Sequence, residues 1–418
     1  MEERVLASYY IETPYPLEQA AEVMAGEQST GTFVSVPGET EELKERHAAR
    51  VVRIEPLDET DRPSLPHALA PAGSPKYRRA NVTLSFPLHN FGPSLPNLLA
   101  TIAGNLYELR EFSGLRLTDL ELPASFAAKY PGPRFGIAGT RKLAGVYERP
   151  IIGTIVKPSI GLPLTEYRTL VRELAEAGLD FVKDDELCAD PPYAPFAERV
   201  RVVMEEIERA ADKTGKKMMY AFNITGDIDE MRRNHDLVAK SGGTCVMVGI
   251  NNVGFAAVAH LRSYTELPIH GHRNQWGAMT RCPQLGMSFT AYQKLCRLAG
   301  VDHLHTNGLN SKFAEPNEQV ARSIRDCLTP FLGGYEVMPV LSSAQWAGTA
   351  IPSYEAAQSL DVIQVAGGGI LAHPGGAAAG VRSMQQGWEA AVRGQTLEQY
   401  AAIHPELRQA IETFGKKG

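Results

Sequence analysis

Apolar and polar positions along the 418-residue chain fall into two textures that change near residue 140. Before that point "RVLASYYIET", "RVVRIEPL" and "NVTLSFPL" predict strands and "PLEQAAEVMAGE" predicts a helix. This part reads as an α+β layer running to about "PRFGIAGTRKLAG". Beyond it, short apolar runs alternate with amphipathic stretches of helix length. "PIIGTIVKP" precedes "LTEYRTLVRELAEAG", "LDFVKDDE" precedes "FAERVRVVMEEIERAADKTG", "KMMYAFNIT" precedes "DIDEMRRNHDLVAKSG", and "TCVMVGI" precedes "VGFAAVAHLRSY". The pattern continues through "LPIHGHR" and "SFTAYQKLCRLAG", "DHLHTNG" and "PNEQVARSIRDCL", "YEVMPVLSSA" and "SYEAAQSL", and "VIQVAGGG" and "GGAAAGVRSMQQGWEAAVRG". Eight strand-then-helix units in about 250 residues suit a closed parallel (β/α)8 barrel, with a doubly wound open sheet as the rival. The expected fold is α/β: a TIM barrel over 140–418, ending in a short C-terminal segment, preceded by a smaller α+β, ferredoxin-like domain over 1–139.

A barrel predicts where chemistry lies, because its catalytic groups sit at the carboxyl ends of the strands. In this chain those ends carry Lys157, the run Lys183-Asp184-Asp185-Glu186, Asn223, His270 with His272 and Arg273, His303 with His305, Ser342 with Ser343, and Gly367–Gly369. A lone Lys-Asp-Asp-Glu run reads as a solvated charge cluster, but polar residues gathering at strand end after strand end make it a site. Strand alternation sends Lys183 and Asp185 to one face, with Glu186 just past the strand end. Asp184 is one step off that face and is expected to tolerate Asn better than Asp185 does. Two carboxylates suit a hard divalent cation such as Mg²⁺. A lysine ammonium beside them would repel the metal, whereas its CO2 adduct, a carbamate, would add a third anionic oxygen.

Composition narrows the classes. With 44% hydrophobic residues the chain is globular, and no run approaches the ~18 apolar residues of a membrane span. The start "MEERVLASYYIETPYP" lacks the order of a signal peptide, so a cytoplasmic protein is expected. Five cysteines without CxxC spacing suggest neither a disulfide framework nor a zinc site. A net charge of −6 argues against nucleic-acid binding while leaving room for a local anion pocket.

The segment "GLDFVKDDE" resembles the activation motif of the ribulose-bisphosphate carboxylase (RuBisCO) large-chain superfamily, and the similarity spans nearly the whole chain. "GEQSTGTF", "GNLYELREFSGLRLTDLELP", "TIVKPSIGL", "HGHRNQWGAMT", "DHLHTNGLNSKF", "MPVLSSA" and "VAGGGILAHPGG" occur in family order. The resemblance implies a carbamylated Lys183 that binds Mg²⁺ with Asp185 and Glu186, and Lys157 as the acid/base group near the substrate's carbon skeleton. It implies that His272 contacts substrate hydroxyls or shuttles protons, and that Arg273, His305 and Ser342 hold an anionic end. Gly367, Gly368 and Gly369 would let backbone N–H groups approach a phosphate beside a helix N-terminus. Lys312 would fold over substrate on the loop "NGLNSK", hinged at Gly308. Glu27, Thr32 and Asn105 would complete the site of a neighbouring subunit, which implies a homodimer with composite sites or a higher oligomer.

The departures bear on the reaction. Carboxylases carry a second lysine where this chain has Ser159 and a Thr where it has Ile155; their strand-seven "SGG" is Ser342-Ser343-Ala344 here, and their long C-terminal tail is not seen. Genuine CO2 fixation is therefore not expected, and the chain resembles the RuBisCO-like (form IV) branch. The methionine-salvage enolases of that branch use a lysine base at the position of Asn105 and lack the pair His272-Arg273, which counts against 2,3-diketo-5-methylthiopentyl 1-phosphate enolase or a related isomerase. Other members act on 3-oxo-isoapionate 4-phosphate, removing or transferring its carboxylate. The expected activity is a Mg²⁺-dependent carboxy-lyase, a 3-oxo-isoapionate-4-phosphate decarboxylase or carboxylate-transferring enzyme. The alternative outside catalysis is a regulatory homologue.

Overall fold

The computed structural model describes residues 2–32, 34–73 and 76–415. They form two compact units, one comprising the chain up to Pro131 with Gln275–Leu298, the other Gly132–Asn274 with the chain from Ala299 onward.

In the first unit, β1 (Arg4–Thr13), β2 (Arg50–Thr60), β3 (Tyr77–Pro87) and β4 (Gly114–Glu121) form an antiparallel sheet. Period-2 alternation buries Val5, Ala7, Tyr9 and Ile11 on one face of β1. The helix Leu17–Glu27 buries Ala20, Ala21 and Met24. Tyr9 keeps its buried hydroxyl satisfied by donating to the Ile102 carbonyl at 2.7 Å.

The second unit is a closed barrel of eight parallel strands, which decides against the open sheet. It begins with β5 (Ile151–Ile155), β6 (Phe181–Lys183), β7 (Met219–Asn223), β8 (Cys245–Gly249) and β9 (Ile269–His272). The chain then contributes β10 (Leu285–Met287) to the first unit's sheet, parallel to β4, in the order β10-β4-β1-β3-β2. It returns as β11 (His303–His305), β12 (Met338–Leu341) and β13 (Ile363–Val365), and β13 closes on β5.

Inward positions fill the barrel: Ile151, Phe181, Met219, Ala221, Cys245, Met247, Met338, Val340, Ile363 and Val365 form one core. Outward positions such as Val182, Tyr220, Val246 and Leu341 are also buried, as expected of parallel strands covered by helices on the outside. At the strand starts, buried carboxylates tie backbone together. Asp302 accepts from the N–H groups of Phe135, Gly136 and Ile269 at 2.6, 3.0 and 2.8 Å and pairs with Arg262 at 2.8 Å. Among the described residues no helix is long and apolar enough to cross a membrane.

Candidate active site

The core residue Phe181 faces into the barrel, so Lys183 two positions on faces inward at the mouth and Asp184 faces out toward the helix Phe196–Thr214. Lys183 is buried, its side chain 1% exposed, and its Nζ lies 3.1 Å from Glu186 Oε2 and 2.8 Å from the Asp184 carbonyl. Asp185 Oδ2 is 2.6 Å from the ammonium of Lys157, whose side chain is 42% exposed at the end of β5. Lys157 also donates to Ser159 Oγ at 2.9 Å. Two ammonium groups and two carboxylates thus share one rim. Burial acts to raise the Glu186 pKa, but the Lys183 charge, joined at the low pH where this carboxyl titrates by a protonated His272, outweighs it and brings the carboxyl down to about 2.

His272, at the end of β9, lies 3.5 Å from Glu186 through Nε2 and 2.6 Å from Asn274 Oδ1 through Nδ1. Burial first, then the Lys183 charge, bring its pKa down to about 4. The neutral ring therefore carries its proton on Nδ1, where the amide oxygen accepts it, and presents a bare Nε2 to the mouth. His305 lies beside it with ring centroids 4.5 Å apart and planes tilted by 58°, and its Nδ1 lies 3.1 Å from Ser342 Oγ. Arg273 is held at 2.8 Å by Glu315 Oε2, which also accepts from Asn307 Nδ2 at 2.7 Å.

Lys157, Lys183, Asp185, Glu186, His272, Arg273, His305 and Ser342 thus lie at the carboxyl ends of β5, β6, β9, β11 and β12. Gly367 faces Lys157, since a Cβ built on it would lie 3.7 Å from Lys157 Cε. The helix that starts within the Gly367–Gly369 run is a single turn, Gly368–Leu371, too short for a sizeable dipole, so the expected field of a helix N-terminus is small. Gly369 has a packing reason to be glycine, because a Cβ there would strike the Gln345 carbonyl at 2.4 Å. Lys312 is exposed with its Nζ 5.5 Å from the Phe313 ring centroid.

Glu27, Thr32 and Asn105 belong to the first unit. Glu27 ends its helix, and the next residue, Gln28, with its amide oriented to satisfy both ends, accepts from the Asn105 N–H at 3.1 Å. Thr32 contacts the Glu39 carboxylate.

The sequence reading missed Glu315 and Arg199. Arg199 is buried, 3.3 Å from Asp184 Oδ2, and donates to the carbonyls of Ala194 and Ala189 at 2.9 and 2.5 Å, pinning the segment after Glu186. Its position on the stripe Phe196, Arg199, Val200, Val203, Ile207 was the available signal.

Among the described residues no cluster of three or more His, Cys, Asp or Glu side chains forms a metal site by itself. Asp185 and Glu186 offer two carboxylates, and Lys183 Nζ, 3.1 Å from Glu186, is placed for a carbamate to offer a third oxygen group. That donor set, all oxygen and all anionic, fits Mg²⁺.

The family described as "Ribulose bisphosphate carboxylase large chain, catalytic domain" matches residues 136–414, and "Ribulose bisphosphate carboxylase large chain, N-terminal domain" matches residues 1–126. A protein of Xanthobacter autotrophicus named 3-oxo-isoapionate-4-phosphate transcarboxylase/hydrolase is 54% identical over 98% of this chain and 99% of its own length. A 3-oxo-isoapionate-4-phosphate decarboxylase of Rhizobium etli is 47% identical over 98% of each chain. The crystal structure of a rubisco-like protein from Burkholderia fungorum superposes with a TM-score of 0.92 at 51% identity, covering 99% of this chain and 100% of that one. Matched by both family domains over 1–126 and 136–414 and by relatives over 98% of its length, the chain belongs to the ribulose bisphosphate carboxylase large-chain family, as a RuBisCO-like protein.

Proposed function

We propose that the chain is a Mg²⁺-dependent carboxy-lyase that decarboxylates 3-oxo-isoapionate 4-phosphate. The observation that carries this reading is the Lys157 ammonium held at 2.6 Å from Asp185 at the barrel mouth, an acid set beside the carboxylates that fit a cation. The names of relatives at 46–54% identity over the full chain support the substrate.

A β-keto acid loses CO2 by moving the C–C bonding pair toward its keto oxygen. When bound, Mg²⁺ supplies the Lewis acid for the charge that develops there. Lys183, as its carbamate, Asp185 and Glu186 are the residues that would hold the ion. Lys157 then gives its Nζ proton to the carbon that carried the carboxylate, and solvent returns a proton to Lys157 through its exposed side. His272, with Nδ1–H fixed on Asn274, accepts from a substrate hydroxyl through Nε2. Arg273, braced by Glu315, and the backbone of Gly367–Gly369 take the anionic end, and Lys312 closes over it. Glu27, Thr32 and Asn105 serve the site of the second subunit of a homodimer. Asn105 offers an amide where an enolase needs a base, which supports decarboxylation over enolisation. Five cysteines without CxxC spacing, an odd number that suggests no disulfide framework, support a cytoplasmic location.

The test is purified protein with Mg²⁺ and bicarbonate in deuterated buffer. CO2 release with deuterium at the former carboxylate-bearing carbon is expected, and Lys157→Met should lower turnover more than apparent affinity. A second reading, in which the carboxylate is transferred and a C–C bond hydrolysed, is favoured by the 54% identity to the transcarboxylase/hydrolase. Two smaller acids without net CO2 release would select it. An untouched substrate, with 2,3-diketo-5-methylthiopentyl 1-phosphate enolised instead, would refute both.

A further inference from the structure

A line of imidazoles runs through the barrel interior from the strand starts to the mouth. His303 Nε2 lies 2.9 Å from Thr140 Oγ1, His303 Nδ1 is 3.3 Å from His270 Nδ1, and His270 Nε2 is 2.8 Å from His305 Nε2. His305 Nδ1 is 3.1 Å from Ser342 Oγ. Thr140, on the helix Gly136–Ala144, and the three histidines are all buried. Burial holds His303 down to about 3 and His270 and His305 well below the ordinary histidine value, so each ring is neutral, with one N–H and one bare nitrogen.

Donor and acceptor counting then fixes every proton. The Thr140 hydroxyl contacts the Gly136 carbonyl one turn back in its helix. A carbonyl only accepts, so the single hydroxyl hydrogen is committed there. Thr140 Oγ1 must accept from His303, which places that ring's hydrogen on Nε2 and leaves Nδ1 bare. His270 must then donate from Nδ1 and accept at Nε2, and His305 must donate from Nε2, leaving its Nδ1 to accept from Ser342.

We propose that Thr140, at the foot of the barrel, is a positioning residue that sets the tautomer of His305 and thereby turns the Ser342 hydroxyl hydrogen away from the mouth. Ser342 offers oxygen lone pairs to a ligand, so it selects a hydrogen-bond donor, such as a substrate hydroxyl, rather than a dianionic phosphate oxygen. Reversing the chain to point that hydrogen outward would set the bare Nε2 of His303 against the lone pairs of Thr140, whose own hydrogen Gly136 retains. Arg273 and the strand-eight glycines are left to hold the anion.

The substrate consequence rests on the proposed function; the tautomer does not, and the first measurement needs no substrate. In protein labelled with ¹⁵N at histidine, with His305 assigned by the signals lost in His305→Asn, wild type should show Nδ1 bare and Nε2 protonated. Thr140→Val should give averaged His305 shifts, and Thr140→Ser should keep those of wild type. A proton on His305 Nδ1 in wild type, or unchanged shifts in Thr140→Val, overturns the proposal. With 3-oxo-isoapionate 4-phosphate, Thr140→Val should raise KM about tenfold with a smaller change in kcat, the size of one neutral hydrogen bond, and Thr140→Ser should restore it. Fixed tautomers without turnover of that compound would refute the substrate and leave the positioning role standing.

Discussion

Replacing Asp184 and Asp185 separately by Asn should divide folding from catalysis, although the two residues are adjacent and chemically identical. Asp184 and Arg199 have fully buried side chains, 3.3 Å apart. The Asp184 oxygens also accept from Tyr220 OH at 2.6 Å and the Asn223 N–H at 2.9 Å. Asp184→Asn keeps the shape but removes the charge that faces Arg199; with the amide oxygen kept toward Asn223 and Arg199, the NH2 group meets the Tyr220 hydroxyl, which loses the acceptor it donated to. Losing one partner of a buried pair costs about 3–5 kcal/mol. Arg199 keeps the carbonyls of Ala189 and Ala194, which places the loss near the lower end, about 3 kcal/mol. That is roughly a hundredfold in the folded-to-unfolded ratio. The expectation that Asp184 tolerates Asn better than Asp185 does concerns activity; for stability the order reverses, because the off-face position faces a buried guanidinium.

Asp185 is the reverse case. Its partner Lys157 reaches solvent, so Asp185→Asn should change stability by about 1 kcal/mol or less. It should abolish activity, because it removes one of the two carboxylates on the rim. The assay is urea unfolding of each variant together with turnover per folded molecule in Mg²⁺ and bicarbonate. An Asp184→Asn midpoint equal to wild type, or equal activity losses per folded molecule in the two variants, would show that the in-and-out assignment along this strand is wrong.

Mg²⁺ with bicarbonate should raise the unfolding temperature of the wild type, by the equivalent of about 2.7 kcal/mol at a hundred times Kd, and should leave Lys183→Met unmoved. Mixing inactive Asn105→Ala with inactive Lys183→Met should restore part of the activity if sites are composite; no recovery after verified subunit exchange would remove Asn105 from the partner's site. His303 is held at about 3, below its unfolded value near 6.5, so the unfolded chain binds more protons between these values. The stabilisation is complete above pH 6.5 and is lost as pH falls toward 3, and His303→Asn should flatten the fall in urea midpoint over that window.

The barrel was legible because parallel strands buried on both faces read as unbroken apolar runs, and each is followed by a helix with its own period. β4 and β10 were not read. In β10 three residues, "LGM", carry too little pattern to mark a strand, and nothing local says that they pair with β4, whose nearest paired residue lies some 170 positions earlier. The rim was legible for a related reason: a charge that ends an apolar run is conspicuous, as Lys157 and Lys183 are. Glu315 sits in a loop, where a carboxylate is ordinary, so its hold on Arg273 could only be seen in space.

Arg199 shows the sharper limit. Within "FAERVRVVMEEIERAADKTG" it is one arginine among several, yet it alone falls on the stripe of Phe196, Val200, Val203 and Ile207, where solvent cannot reach its charge. A buried arginine needs an anion, and the strand it packs against supplies Asp184. The motif at 183–186 therefore divides its charges between the two faces of one strand, with Lys183 and Asp185 turned to the barrel mouth and Asp184 committed to the helix that holds the strand in place. Period-2 alternation makes that division unavoidable, so the residue between two that face the mouth is fixed by packing on the other side of the strand.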